Sequence, residues 1–249
     1  AYSILKTGHD EWGQFLPLSF RAYGDYKLPG YIYLDVPFIA TFGLNEWGVR
    51  FPSALLGVGL VVFIYLILKR LTGKDEIALL GMFISATTPW LIILSRIALE
   101  AQLALFLTTA GVYFFFLGLQ KKFYILISLF LFGLTLFSYN SSRVATLLIV
   151  FALLLFYRNE LKLKWVVAGL LVFLFFFITA LPLAIKQDSS ARYRWTAILD
   201  EGAIARINEL RGSSALPPEV ERVVFNKGTY FVPEFTKNYL SHLNPNFLF

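Results

Sequence analysis

The chain alternates between long apolar runs and short polar segments. Uncharged runs occupy residues 51–68, 77–95, 101–120, 123–142, 144–157 and 165–185. A helix needs roughly 20 apolar residues to cross the ~30 Å hydrocarbon core of a bilayer, and most of these runs approach that length. The pattern therefore predicts six membrane-spanning helices within residues 51–185.

Composition favours the same class of fold. Of the 249 residues, 57% are hydrophobic and only 15% are charged, whereas about a quarter of the residues in soluble domains are charged. We therefore expect an all-α, polytopic transmembrane helix bundle. The absence of cysteine excludes a disulfide framework and cysteine catalysis, and two histidines argue against a multi-histidine metal site. No cofactor or metal is predicted.

The net charge of +6 lies within the apolar block. Residues 51–185 carry ten Lys or Arg and four Asp or Glu, whereas residues 1–50 and 186–249 are nearly balanced. Nucleic-acid binders cluster basic charge on an exposed face. Here the basic residues are divided among short loops, so we expect membrane lipids and no nucleic acid as partners.

Eight of those ten basic residues fall in alternate loops, after the first, third and fifth runs. They are Lys69, Arg70, Lys74, Lys121, Lys122, Arg158, Lys162 and Lys164. An excess of Lys and Arg marks cytoplasmic loops. The alternation predicts that a loop at 1–50, the turns at 96–100 and 139–143, and a tail at 186–249 are extracytoplasmic parts of a cell-membrane protein.

Residues 28–44 are apolar but contain Asp35 and two prolines. If this segment crossed the bilayer, every later span would invert and the eight basic loop residues would face outside. We therefore predict an interfacial helix on the outer leaflet.

The tail is predicted to contain two short helices, at 196–210 and 230–243, because their apolar residues recur at helical spacing. The residues expected to form the buried stripe of the first helix are Ile198, Ala203, Ile204 and Ile207.

Ionisable and hydroxyl side chains collect at the predicted outer turns. They are Asp25, Lys27, Arg96, Glu100, Tyr139 and Arg143. An ionisable residue at membrane depth is costly and is a functional hypothesis by default. A groove lined by the three cations among them is suited to a lipid phosphate, which accepts charge-assisted hydrogen bonds.

Structural roles compete with this interpretation. Arg96 and Glu100 are four residues apart, so they would form an ion pair on one face if a single helix ran through both. Arg143 could reach lipid headgroups along its aliphatic stem. Asp25 could cap the start of the interfacial helix, and Lys27 could contact anionic headgroups.

The region 8–53 resembles the first outer loop of GT-C fold glycosyltransferases of the family 39 type. These include the protein O-mannosyltransferases and the lipid A aminoarabinose transferases. The residues that match the family pattern are Asp25, Lys27 and Pro29 in its first element, and Asn45, Glu46, Arg50, Pro52 and Ser53 in its second. The segment SRIALEAQLALF at 95–106 is similar to a later segment and places Glu100 on an acidic position of the family.

The resemblance implies a membrane glycosyltransferase. It would move a sugar from a polyprenyl-phosphate donor to a protein, lipid or glycan acceptor, with inversion and without a metal. By this resemblance Asp25 and Glu100 would be the site acids, Lys27 would contact the phosphate and Arg96 would line the groove. Arg143 and Tyr139, at the next outer turn, are further candidates for substrate binding.

Two departures from the family pattern are present. Leu28 stands where the family has the first proline of a pair. The main catalytic acid of the family lies on a preceding transmembrane helix, so we expect it upstream of Ala1 and expect the chain to be a fragment at both ends. Two other functions stay open: a transporter or flippase for lipid-linked sugars, and a non-catalytic membrane scaffold.

Overall fold

The structure is a computed structural model that describes residues 1–22, 25–185, 197–214 and 216–244, with only the backbone described at Asp25, Ala184 and Ile185. The chain divides into two units, 1–186 and 187–249. The elements of the first unit are α1 (Tyr2–Thr7), β1 (Phe20–Ala22), β2 (Asp25–Lys27), α2 (Pro29–Phe42), α3 (Glu46–Thr72), α4 (Asp75–Thr87), α5 (Pro89–Arg96), α6 (Glu100–Gln120), α7 (Tyr124–Thr135), α8 (Asn140–Phe156) and α9 (Leu163–Ile185).

The predicted all-α polytopic bundle is confirmed, and each of the six apolar runs is helical. Helices α3, α6 and α9 are long and apolar enough to cross a membrane. Helices α4 and α5 meet at a bend of 59° and would together make a fourth crossing. Helices α7 and α8 are apolar but shorter. The count of six spans therefore stays a prediction.

Helix ends follow local sequence signals. Asn45 caps α3, because its side-chain oxygen accepts the backbone N–H of Gly48 at 2.9 Å. The helix ends at Gly73, whose φ of 69° is left-handed. Pro89 opens α5 directly after Thr88, where its ring prevents α4 from continuing.

The densest packing is found among α6, α7, α8 and α9. Its buried residues are Phe115, Ile125, Leu129, Phe132, Leu136, Val150, Phe173 and Ala180. Glycines let these helices approach closely, since a Cβ at Gly111 would meet the ring of Phe132 and one at Gly133 would meet Phe176. Small residues at such crossings are typical of helices packed within a bilayer.

The first loop contains a short hairpin that was not predicted. Strands β1 and β2 pair antiparallel, with Phe20 opposite Lys27 and Ala22 opposite Asp25. The N-cap position of α2 is Leu28, so the suggestion that Asp25 caps this helix is wrong. The helix predicted within 28–44 is present as α2, and its place at the outer leaflet stays a prediction.

The second unit contains α10 (Glu201–Ser213), α11 (Pro218–Val224) and α12 (Lys227–Ser241). The two predicted tail helices correspond to α10 and α12, whereas α11 was not predicted. Ala203 and Ile207 are buried as expected, but Ile204 is exposed, and Ile198 is half-buried and lies before the helix begins. The buried stripe is therefore narrower than predicted. Residue 196, the predicted start of the first tail helix, lies outside the described residues.

Candidate functional site: a polar cluster beside an apolar groove

A groove of about 810 Å³ lies between α3, α4 and α5. Its wall is mostly apolar, and it follows α3 from Glu46 to Val62. At 1.5 Å per helical residue this stretch is about 24 Å long. Its polar end is formed by Glu46, Arg50 and Arg96.

The two guanidinium groups at this end differ in their partners. Arg50 Nη1 lies 3.4 Å from Glu46 Oε2, one helical turn away on α3, and both side chains are exposed. Such exposed pairs contribute little to stability. Arg96 is the last residue of α5 and is exposed. Within the described residues it forms no hydrogen bond or ion pair that would hold it away from a ligand.

Lys27 and Glu100 meet across the fold. Lys27 Nζ lies 3.8 Å from Glu100 Oε1, and 39% of the lysine side chain and 18% of the glutamate side chain are exposed. Lys27 is the last residue of β2 in the hairpin, and Glu100 is the first residue of α6. Two residues far apart in sequence, both predicted for the site, are thus neighbours.

The suggested Arg96–Glu100 ion pair is not formed, because no single helix runs through both residues. Helix α5 ends at Arg96 and α6 begins at Glu100, with extended backbone at Ile97 and Leu99. Only four Cα–Cα steps separate Arg96 from Glu100, so their Cα atoms lie no more than roughly 14 Å apart. Arg96 lines the groove and is close in sequence to Glu100, the partner of Lys27.

Tyr139 and Arg143 lie at the turn into α8. Tyr139 occupies the N-cap position, and its carbonyl accepts the Ser142 hydroxyl at 2.6 Å. Arg143 donates from Nε to the Leu136 carbonyl at 3.1 Å. Its Nη2 is buried without a hydrogen-bond partner. A guanidinium that keeps an unused donor is compatible with either a ligand contact or a headgroup contact.

Helix α2 connects this turn to the groove. The backbone N–H of Gly30 donates to the Phe137 carbonyl at 2.9 Å, next to Tyr139. On the other side of α2, the Tyr31 hydroxyl donates to the Val49 carbonyl of α3 at 3.1 Å. Burial raises the pKa of Tyr31 to about 12, with a further contribution from the Asp35 carboxylate. The hydroxyl therefore stays protonated and remains a donor.

Several residues of the family pattern have structural roles. Ser53 is fully buried and its hydroxyl contacts the carbonyls of Leu94 at 3.0 Å and Ile97 at 2.8 Å. This contact fixes the end of α5 against α3, and so fixes the backbone that carries Arg96. Asn45 holds the start of α3, as described above.

Two buried polar residues were missed by the sequence analysis. Asp35 is 5% exposed and its Oδ1 lacks a hydrogen-bond partner. Gln102 is fully buried, and neither polar atom of its amide is hydrogen-bonded. The presence of a carboxylate in the apolar segment 28–44 was a signal for Asp35. Gln102 has no signal, because its burial depends on the crossing of α6 with α3 and α5.

A metal-ligand cluster is absent from the described part of the chain, where no three His, Cys, Asp or Glu side chains are grouped closely enough to hold an ion.

The fold defines a polytopic membrane protein with a polar cluster at its helix ends. Residues 28–182 match the family model described as dolichyl-phosphate-mannose-protein mannosyltransferase. The match covers more than half of the chain, and the chain belongs to this family.

Two curated relatives are similar to about half of the chain. One is "Putative mannosyltransferase YkcB" of Bacillus subtilis (strain 168), 28% identical over 146 residues, which is 54% of this chain and 20% of that protein. The other is an "Uncharacterized protein" of Aquifex aeolicus (strain VF5), 34% identical over 144 residues, or 53% of this chain and 28% of that protein. The aligned part of the chain thus spans less than a third of either relative. No solved structure matches the chain significantly.

Proposed function

We propose that this chain forms the donor-binding part of a membrane glycosyltransferase that takes a sugar from a polyprenyl-phosphate carrier. The observation that carries the proposal is the groove, which combines an apolar wall with Arg50 and Arg96 at one end. An isoprenoid chain is apolar and its phosphate is anionic, so both parts of the carrier have a complementary surface. The family match and the mannosyltransferase name of one relative support a sugar as the transferred group.

In this proposal the phosphate lies near Arg96 and Lys27. An acceptor hydroxyl, from a protein, lipid or glycan, attacks the anomeric carbon with inversion and loses its proton to a carboxylate. The bond between the anomeric carbon and the phosphate oxygen breaks, and the phosphate leaves with the electron pair. Cations placed at the leaving phosphate stabilise charge that develops in the transition state, and no metal takes part.

Among the site acids, Glu100 lies beside Lys27, and Asp25 precedes Lys27 by two residues in the same strand. We assign proton transfer or acceptor positioning to these two carboxylates, and phosphate binding to Lys27 and Arg96. We assign Arg143 and Tyr139 to substrate binding at the margin of the donor site, because α2 links their turn to the cluster.

The location of the charges favours a transferase over a transporter. Arg96 ends α5, Glu100 starts α6, and Lys27 lies before α2. A substrate path through the membrane would need ionisable groups along the spans, where they are costly. These residues instead sit at helix ends, as expected for chemistry at one surface.

The proposal is tested by Lys27→Ala in the full-length protein. We expect sugar transfer from a polyprenyl-phosphate donor to fall at least about tenfold, equivalent to ~1.4 kcal/mol of transition-state stabilisation. Lys121→Ala, in a predicted cytoplasmic loop, is the matched control and should leave transfer unchanged. Unaltered kinetics in the Lys27 variant would remove this residue from the site.

The proposed extracytoplasmic side of the cell membrane is tested separately. Single cysteines at Gln14 and Ser213 should react with an impermeant maleimide in intact cells, and one at Thr72 should not. The chain has no native cysteine, so each label reports one position. The opposite labelling pattern would reject the orientation.

A further inference from the structure

Helix α12 has one apolar and one polar face. Phe231, Phe235 and Tyr239 recur every four residues, and their rings stack nearly parallel, at 18° and 17°, with centroids 5.6 and 6.1 Å apart. Residues four apart share one face of a helix. Val232 borders this face, whereas Lys237 lies on the opposite side of the helix.

The apolar face of α12 is uncovered. Most of the helix is exposed, and only Tyr230 and Glu234 are half-buried. Phe235 is 49% exposed and Tyr239 is 60% exposed. A soluble helix buries its apolar stripe against its own domain. Here the stripe is left uncovered, and an exposed apolar patch of this kind marks an interaction surface.

We propose that α12 lies flat in the interface of the membrane that the apolar helices of the chain cross, with the Phe231–Phe235–Tyr239 ladder in the acyl boundary. Aromatic residues on one side and a lysine, Lys237, on the other are typical of an interfacial helix. The proposal does not depend on the reaction proposed above.

The length of α12 excludes a crossing. Its 15 residues span about 22 Å at 1.5 Å each, which is shorter than the ~30 Å hydrocarbon core. Glu234 and Lys237 would also have to enter that core. Lying parallel to the surface leaves both charges in the headgroup layer and covers the ladder with lipid.

Tethering favours lipid over a separate protein as the occupant. Helix α9 is apolar enough to span the bilayer, and residues 186–226 connect it to α12. A tether of this kind keeps the helix at high local concentration near the bilayer. The bilayer is therefore an apolar surface that is always within reach of the ladder, whereas a partner protein would have to be recruited.

A nitroxide spin label on a single cysteine tests the proposal in the full chain, reconstituted in vesicles of phosphatidylcholine and phosphatidylglycerol. Phe235→Cys reports the ladder, and Lys237→Cys is the matched control on the opposite side. A polar nickel chelate is excluded from the apolar layer, whereas oxygen enters it. The ratio of oxygen to nickel collisions should therefore be higher at 235 than at 237.

High nickel accessibility at both positions would overturn the proposal, since the helix would then lie in water. Exclusion of both reagents at 235 would also overturn it and indicate a covering protein; dipolar broadening between labels would identify that protein as a second copy. Tyr239→Cys, on the same face, provides the same readout if the Phe235 variant does not reconstitute.

Discussion

The two sides of the transmembrane unit are built differently. On the side of α6, α7 and α9, Phe115, Ile125 and Phe132 are almost fully buried and glycines bring the helices into contact. On the side of α3, α4 and α5, a groove remains between the helices, and the described residues of α5 include none that is buried.

This difference determines which side of the unit has space for a bound carrier lipid. A close-packed interior resists changes in volume and holds one geometry. Such an interior leaves no space for a carrier lipid. The groove side has that space, and it also has the exposed cation Arg96 and a bent connection to α4 at Thr88. We infer that the packed side supports the fold and the open side binds the substrate.

The largest expected effect tests the packed side. Phe132→Ala removes a ring that is fully buried against Gly111. The remaining cavity and the lost contacts should lower the free energy of unfolding by roughly 3–5 kcal/mol. Phe83→Ala on α4, where the ring is 65% exposed, should change it by less than about 0.5 kcal/mol. Unfolding in detergent micelles measures both variants, and equal losses would show that the two sides do not differ.

A smaller effect is expected from filling the groove. Val58 lines it and is 66% exposed, so Val58→Trp should occupy space needed by the carrier chain while leaving the fold intact. We expect donor affinity to fall about tenfold, or ~1.4 kcal/mol. Leu148→Trp on α8, also largely exposed but away from the groove, is the control. Equal donor affinity in the two variants would place the carrier elsewhere.

The fold class could be predicted because the length of each apolar run is read directly from the sequence. The sequence also selected Lys27 and Glu100, since ionisable residues are few near the predicted outer turns, and the structure brings these two together. The suggested Arg96–Glu100 ion pair was wrong, because the chain breaks between α5 and α6 at Ile97–Leu99, where the Ser53 hydroxyl contacts the end of α5. Gln102 was missed because its burial results from helix crossings.

Helix α2 has polar contacts with two neighbours, with α3 through Tyr31 and with the α7–α8 turn through Gly30. Its one carboxylate is Asp35, and the smallest expected effect on stability comes from this residue. Burial raises the pKa of Asp35 from its ordinary value of 3.8 to about 6. Between these values the folded chain keeps a proton that the unfolded chain has released. Stability should therefore fall as pH rises from 3.8 to about 6, and remain at the lower level above that.

Asp35→Asn removes this titration while keeping the size of the side chain. We expect the variant to be more stable than the parent at neutral pH by about 1 kcal/mol, because no charge has to be buried. Near pH 4 the difference should vanish, since the carboxyl of the parent is then protonated in the folded state. Unfolding measured across this range for both proteins would show a narrowing gap as pH falls. A gap that does not change with pH would mean that Asp35 is solvated, and that α2 is less tightly enclosed between its neighbours than its contacts indicate.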